Sequence, residues 1–188
     1  MSRQIHTFEH PARFVAGTIG QPGDRTFYLQ ASDALRTVSV VLEKVQVSLL
    51  AERLSELLEE VRSRLDVPVP DEGTELDLEP LDVPVEEEFR VGAMGLAWDP
   101  DSSMVVVEAH AQVEDTEAEP PDPLVDTADG PDTLRVKITP DAARSFVERA
   151  ERVIAAGRPP CPLCGQPLDP AGHVCPRQNG YRRGGFTP

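Results

Sequence analysis

The sequence contains one strand-then-helix pattern twice, at an offset of 96 residues, over 38–58 and 134–154. In each copy, alternating apolar residues typical of a strand lead directly into helical periodicity. Two such units favour an α+β fold of two antiparallel β-meander-plus-helix halves. Internal duplication would explain the match, and so would the general similarity of strand–helix units.

Both helices are marked by periodicity and by their ends. The first is predicted over 44–65, where apolar residues at spacings of three and four form one stripe: Leu50, Leu54, Leu57, Leu58, Val61 and Leu65. The second follows Thr139, a good N-cap, with Pro140 in its first turn and Gly157 at its end.

Three strands are predicted before each helix. RFVAGTIG, RTFYLQA and LRTVSVVLE precede the first, and EFRVGAMGLAWD, SSMVVVEAHAQVE and TLRVKI precede the second. The glycine-rich segment from Gly17 to Gly23 is interpreted as a turn, because no G-K-[ST] follows it. His6 and His10 match H-x-x-E-H, but Pro11 disfavours a helix there, so strand histidines are expected instead of a protease site.

Acidic residues are concentrated in two segments. Nine lie between Asp71 and Glu88 and nine between Glu108 and Asp132, without any Lys or Arg, which leaves 15 acidic against 18 basic residues elsewhere. The formal charge of −15 therefore describes mainly these segments. Both are also Pro-rich, so they are predicted to be loops, at 66–88 and 114–132, that do not pack easily and whose carboxylates are ordinary and solvated.

All three cysteines lie in CPLCGQPLDPAGHVCP, together with a histidine. Cys161, Cys164, His173 and Cys175 give the spacing C-x2-C-x8-H-x-C, in which the first pair suits a tight knuckle and the second an extended segment. Three thiolates and an imidazole favour a structural Zn²⁺ site, a zinc knuckle, although iron could also bind. The alternatives are buried or reactive thiols, or a disulfide from Cys161 to Cys164.

A catalytic metal is disfavoured because four protein ligands fill a tetrahedral shell. Nucleobase deaminases need an upstream H-x-E, which this chain lacks, since residues 108–110 run in the opposite order. We therefore predict an α+β domain over 1–157 and a zinc-binding tail over 158–188. An enzyme whose site is assembled from distant residues stays an open alternative.

The chain ends in a basic and aromatic segment that contains Arg177, Tyr181, Arg182 and Arg183. Such residues can contact nucleic acid. The segment could equally be solvated or lie on the acidic loops of the protein itself.

The sequence has no apolar run of membrane-spanning length and no signal peptide. We expect no membrane insertion and, with three cysteines that cannot form a closed disulfide set, a cytoplasmic location.

GTIGQPGDRTFYLQA, VVLEKVQV, EFRVGAMGLAWD and GRPPCPLCGQPLDPAGHVCPRQNGY together resemble an actinobacterial family of unknown function with this length and tail. The resemblance covers nearly the whole chain. It implies a gene neighbour encoding a phosphatidylinositol-kinase-like protein, which suggests a partner by association. We predict a non-enzymatic binding or adaptor protein with a protein partner, and a nucleic-acid-associated protein as the alternative.

Overall fold

Seven strands and two helices follow one another in the order that the two-half prediction requires. The computed structural model describes residues 3–113, 130–157, 160–166, 168, 173 and 175. Its elements are β1 (Ile5–Phe8), β2 (Arg13–Ile19), β3 (Thr26–Ser32), β4 (Thr37–Leu42), α1 (Lys44–Leu65), β5 (Glu87–Asp99), β6 (Met104–Ala111), β7 (Thr133–Ile138) and α2 (Pro140–Ala155). The α+β class with two meander-plus-helix halves, β2-β3-β4-α1 and β5-β6-β7-α2, is confirmed.

The seven strands form one sheet in the order β1-β7-β6-β5-β4-β3-β2. Within each half, neighbouring strands are antiparallel. The halves meet where β4 and β5 run parallel, and β1 runs parallel to β7. The sheet is therefore mixed: it is antiparallel inside each half, as predicted, and parallel where the halves meet and at β1.

The sheet is strongly curved. β1 and β2 lie at its opposite edges, which in a flat seven-stranded sheet would be about 29 Å apart. Phe8 and Arg13 are only five positions apart in the sequence, so the chain between them spans at most about 18 Å. Arg36, before β4, lies over the Phe8 ring at 4.6 Å and donates to the Thr7 carbonyl at 2.6 Å. The edges are thus brought towards one another.

Both helices pack on one face of this sheet. The apolar stripe of α1 and the inner face of α2 share a single buried core with alternate residues of β3, β4, β6 and β7. Thr139 caps α2, its hydroxyl accepting the Ala142 N–H at 3.2 Å. Within the described part of the chain, neither helix is long and apolar enough to cross a membrane.

The two halves correspond strand by strand. β4 and β7 are 96 residues apart, and their ladders place Val40 beside Leu29 and Val136 beside Val107. One strand further, the partners are Ala16 and Leu96. β2 thus corresponds to β5 and α1 to α2. The matched pairs used below are Phe14 with Met94, Arg13 with Ala93, Gly17 with Ala97, Phe146 with Leu50, Arg149 with Arg53 and Arg152 with Glu56.

The acidic segment after α1 packs against the domain. We call residues 66–86 the strap. Val69 and Leu81 are buried, and Asp82 exchanges hydrogen bonds with the Gln30 amide at 2.8 and 3.1 Å. The expectation that this segment does not pack easily is wrong, because two of its apolar residues are buried and Asp71, Asp77 and Asp82 form ion pairs with arginines. Of the second acidic loop, predicted over 114–132, residues 114–129 lie outside the described residues.

Candidate metal centre

The first cysteine pair lies in a tight turn directly after α2. Gly165 donates its N–H to the Cys161 carbonyl at 2.8 Å, and Cys161 donates to the Gln166 carbonyl at 2.7 Å. Gly165 has φ +75°, a conformation that side chains disfavour, while a Cβ there would meet nothing within 4 Å. The glycine is therefore required by the backbone conformation of the knuckle and not by lack of space.

The knuckle favours a thiolate at its first position. Backbone N–H groups of Leu163 and Cys164 point at the Cys161 sulfur and lower its pKa to about 6. At Cys164, the Gln166 N–H lowers the pKa, but burial and the neighbouring thiols of Cys161 and Cys175 outweigh it and raise the pKa overall. Three thiols held this close repel one another as anions, which is the electrostatic situation that a cation relieves.

The structure brings all four predicted ligands together. The Cys161 and Cys175 sulfurs are 3.9 Å apart, and the Cys164 sulfur is 3.2 Å from His173 Nε2. The four ligand atoms lie within 4.8 Å of one another. A tetrahedral zinc with Zn–S bonds of about 2.3 Å would hold its sulfurs about 3.8 Å apart. The donor set and its spacing therefore fit a metal ion, and all three cysteines are free of disulfides.

The group is enclosed on one side. Cys161 and Cys175 are buried, whereas Cys164 and His173 are half-buried. Among the described residues, no other group of His, Cys, Asp or Glu side chains has this geometry. With four side chains already converging, the arrangement suits a closed, structural site.

The other sequence candidates do not join this centre. His6 lies in β1 and is buried, as expected for a strand histidine. Gly20 and Gly23 have φ of +105° and +101°, which confirms the turn between β2 and β3. Arg177, Tyr181, Arg182 and Arg183 lie outside the described residues, so nucleic-acid contact by the tail stays a prediction, as does the 157/158 domain boundary.

Sequence reasoning missed an ion-pair network that fastens the strap. Asp77 accepts from Arg13 Nε at 2.6 Å and from Arg149 Nη1 at 2.7 Å. The Arg13 hydrogen bond lowers the pKa of Asp77, and burial lowers that of Arg149. Asp77 is thus not an ordinary solvated carboxylate. The available signal was Arg149 itself, a charge inside the apolar stripe of α2 that needs a partner.

A second buried polar group lies on β6. Glu108 and His110 are buried, His110 Nε2 is 3.2 Å from a Glu108 oxygen, and its Nδ1 is 3.0 Å from the Thr133 hydroxyl. Arg135 binds the other Glu108 oxygen. The signal in the sequence was a pair of polar residues two positions apart in an otherwise apolar strand, VVVEAHA.

Comparison with known proteins gives a family without a described activity. A search of curated proteins finds no match, and a search of solved structures finds none either. A family model covers most of the chain, including all four cysteine and histidine ligand positions. The chain belongs to the family described as "Protein of unknown function (DUF3090)", whose model matches residues 6–175.

Proposed function

We propose that this protein is a non-enzymatic binding or adaptor module whose C-terminal segment is held by a structural zinc ion. The observation that carries the proposal is the convergence of four ligand atoms from Cys161, Cys164, His173 and Cys175 within 4.8 Å. Bound zinc would contribute folding free energy on the order of 10 kcal/mol in such a small site. A segment with so few apolar residues needs that contribution.

Binding is favoured over catalysis by where the unusual groups lie. Three carboxylates, those of Asp71, Asp77 and Asp99, have a lowered pKa. Each of them binds an arginine, a lysine or backbone N–H groups. Asp77 lines a cavity of about 120 Å³, smaller than typical ligand sites and also lined by its partners Arg13 and Arg149, and the larger apolar groove described below lies elsewhere. Chemistry on a substrate would need such groups inside a cavity. A reducing compartment, the cytoplasm, is proposed because three thiols must stay reduced to bind the metal.

The metal is tested by elemental analysis of the purified full-length chain. We expect one zinc per chain, and a strong loss of zinc in Cys164→Ser and His173→Gln. His10→Gln, which changes an exposed histidine outside the centre, is the matched control and should keep the metal. Stoichiometric zinc in the ligand variants, or none in the parent protein, would contradict the site.

The structural role is tested by hydrogen exchange with and without a chelator. Amides of 158–188 should exchange faster once zinc is removed, while those of β3, β4 and α1 stay protected. Equal exchange of 158–188 in both conditions would overturn the structural role. Binding to nucleic acid that weakens steeply with salt and needs residues 177–188 would replace the protein-adaptor proposal by its alternative.

A further inference from the structure

An apolar groove lies between α1 and β5. It has a volume of about 560 Å³, and its apolar lining comes from Leu49, Leu50, Leu57, Ala93, Met94 and Leu96. Leu49 is 44% exposed, and Met94 and Leu96 are half-buried. An opening of this size admits several side chains of a ligand.

The same groove exposes a free strand edge. β4 pairs with β5 only at Glu87 and Arg90, and then ends at Leu42. Gln46 from α1 donates its amide to the Val91 carbonyl at 3.1 Å. Beyond that point, no strand among the described residues pairs with β5 on its α1 side, so the backbone groups of 92–99 on that side can pair with another chain.

The place that the internal repeat relates to this groove, between α2 and β2, is already covered by the strap. We call it the α2/β2 junction. There Phe14 stacks on Phe146 at 4.7 Å, and Arg149 donates to the Ala16 carbonyl of the free β2 edge at 2.9 Å. Arg149 also holds the strap through the Asp77 and Glu79 carbonyls at 2.8 and 2.7 Å. At this junction, an irregular peptide segment lies where the helix of one half and the edge strand of the other meet.

The α2/β2 junction binds an acidic segment, whereas the charges at the α1/β5 groove favour a basic one. The acidic strap meets Arg13 and Arg149, with Arg152 one turn further along α2. At the groove, the positions of these three arginines are taken by Ala93, Arg53 and Glu56, in that order. Arg53 is already paired with Glu56 at 2.8 Å. Glu60 also lines the groove and forms an exposed ion pair with Arg64 outside it, so the lining itself carries one arginine against two carboxylates. A basic segment is therefore favoured there, and the formal charge of −15 adds long-range attraction for it.

We propose that the α1/β5 groove binds an extended segment of a partner protein in which apolar side chains alternate with Lys or Arg. The segment pairs with the free edge of β5, its apolar side chains enter the groove and its cations face Glu56 and Glu60. Strand addition of this kind obtains affinity from backbone hydrogen bonds and selectivity from alternate side chains. The inference rests on the proposed binding function and names its surface and partner chemistry.

The test uses the zinc-loaded full-length protein and two synthetic peptides, one of alternating leucine and lysine and one of alternating leucine and glutamate. Fluorescence anisotropy at physiological salt should give binding of the lysine peptide and at least about tenfold weaker binding of the glutamate peptide. Leu49→Asn and Glu56→Gln should each weaken the lysine peptide by about tenfold or more.

Matched controls lie on the same helix outside the groove. Leu65→Asn changes a 54% exposed leucine and Glu59→Gln an exposed glutamate, and both should leave the affinity unchanged. If the groove and control variants bind alike, the groove proposal is overturned while the general binding function stands. If neither peptide binds, the groove proposal also fails, and the zinc experiments decide the rest independently.

Two other occupants are separate outcomes. A peptide of residues 176–188 that displaces the lysine peptide at similar concentration would assign the groove to this chain's own C-terminal segment. A dimer in sedimentation that Leu49→Asn disperses would assign it to a second copy. Either result overturns the partner proposal.

Discussion

The α2/β2 junction and the α1/β5 groove are related by the internal repeat, yet the first is covered by the strap and the second is open. At the junction two aromatic rings stack, whereas Met94 and Leu50 take their places at the groove. Arg149 is buried against the strap, whereas Arg53 has a 63% exposed side chain. One repeated framework can therefore hold a peptide segment of its own chain at one site and leave the other free.

The largest effect is expected from removing the arginine that closes the junction. Arg149→Met should lower the free energy of unfolding by about 3 kcal/mol, because the Ala16 and Asp77 carbonyls lose their donor and the partly buried Asp77 carboxylate keeps only Arg13 as a cationic partner. Arg53→Met, at the matched position, should cost less than about 0.5 kcal/mol, because its ion pair is exposed. Urea denaturation measures both, and equal costs would show that the two sites do not differ in this way.

An intermediate effect is expected where the strap crosses β2. A Cβ at Gly17 would lie 2.6 Å from the Leu81 side chain, so Gly17→Ala should cost about 1–2 kcal/mol. The cost should largely disappear in a Leu81→Ala background, which gives the leucine's space to the new methyl group. Thermal unfolding of the single and double variants measures this coupling, and additive costs would contradict it. The matched residue Ala97 already carries that methyl group.

The smallest effect is a pH dependence at the junction. Hydrogen bonding to Arg13 lowers the pKa of Asp77 in the folded state from its ordinary value of 3.8. Its stabilisation is therefore complete above about pH 4 and is lost as the pH falls through the folded pKa. Asp77→Asn should unfold with a weaker pH dependence below about pH 4. Asp101→Asn, an exposed turn residue, is the control, and an unchanged slope in Asp77→Asn would exclude this contribution.

The elements of the fold were predictable because their signals are local. The leucine stripe predicts α1 over 44–65, the range that the structure gives, and the alternation in TLRVKI predicts β7 over 133–138. The four metal-centre residues were brought together as expected because their spacing lies within fifteen residues. Short-range patterns of this kind predict the local backbone structure without information from distant parts of the chain.

The strap and the groove were not predictable because they depend on long-range register. Asp77 pairs with Arg13, which is 64 residues earlier in the sequence, and with Arg149, which is 72 residues later. No local sequence pattern predicts either pair. The apolar groove needs β4 to end at Leu42 while β5 continues to Asp99, which only the pairing of two strands decides. Composition predicted a solvated loop for the strap because nothing in the local sequence separates Val69 and Leu81, which are buried, from Leu76, Leu78 and Val83, which are exposed among the acids.

The pairing of β1 with β7 sets an order on biosynthesis. Ile5 faces Thr133 in the ladder, so the strand that leaves the ribosome first must wait for one that emerges 128 residues later. The β2-β3-β4-α1 unit can assemble during translation, whereas the N-terminal strand stays unpaired until the second unit has been made. Nascent chains stalled before residue 133 should therefore expose residues 5–8 to proteases, because the strand that pairs with them has not yet been made.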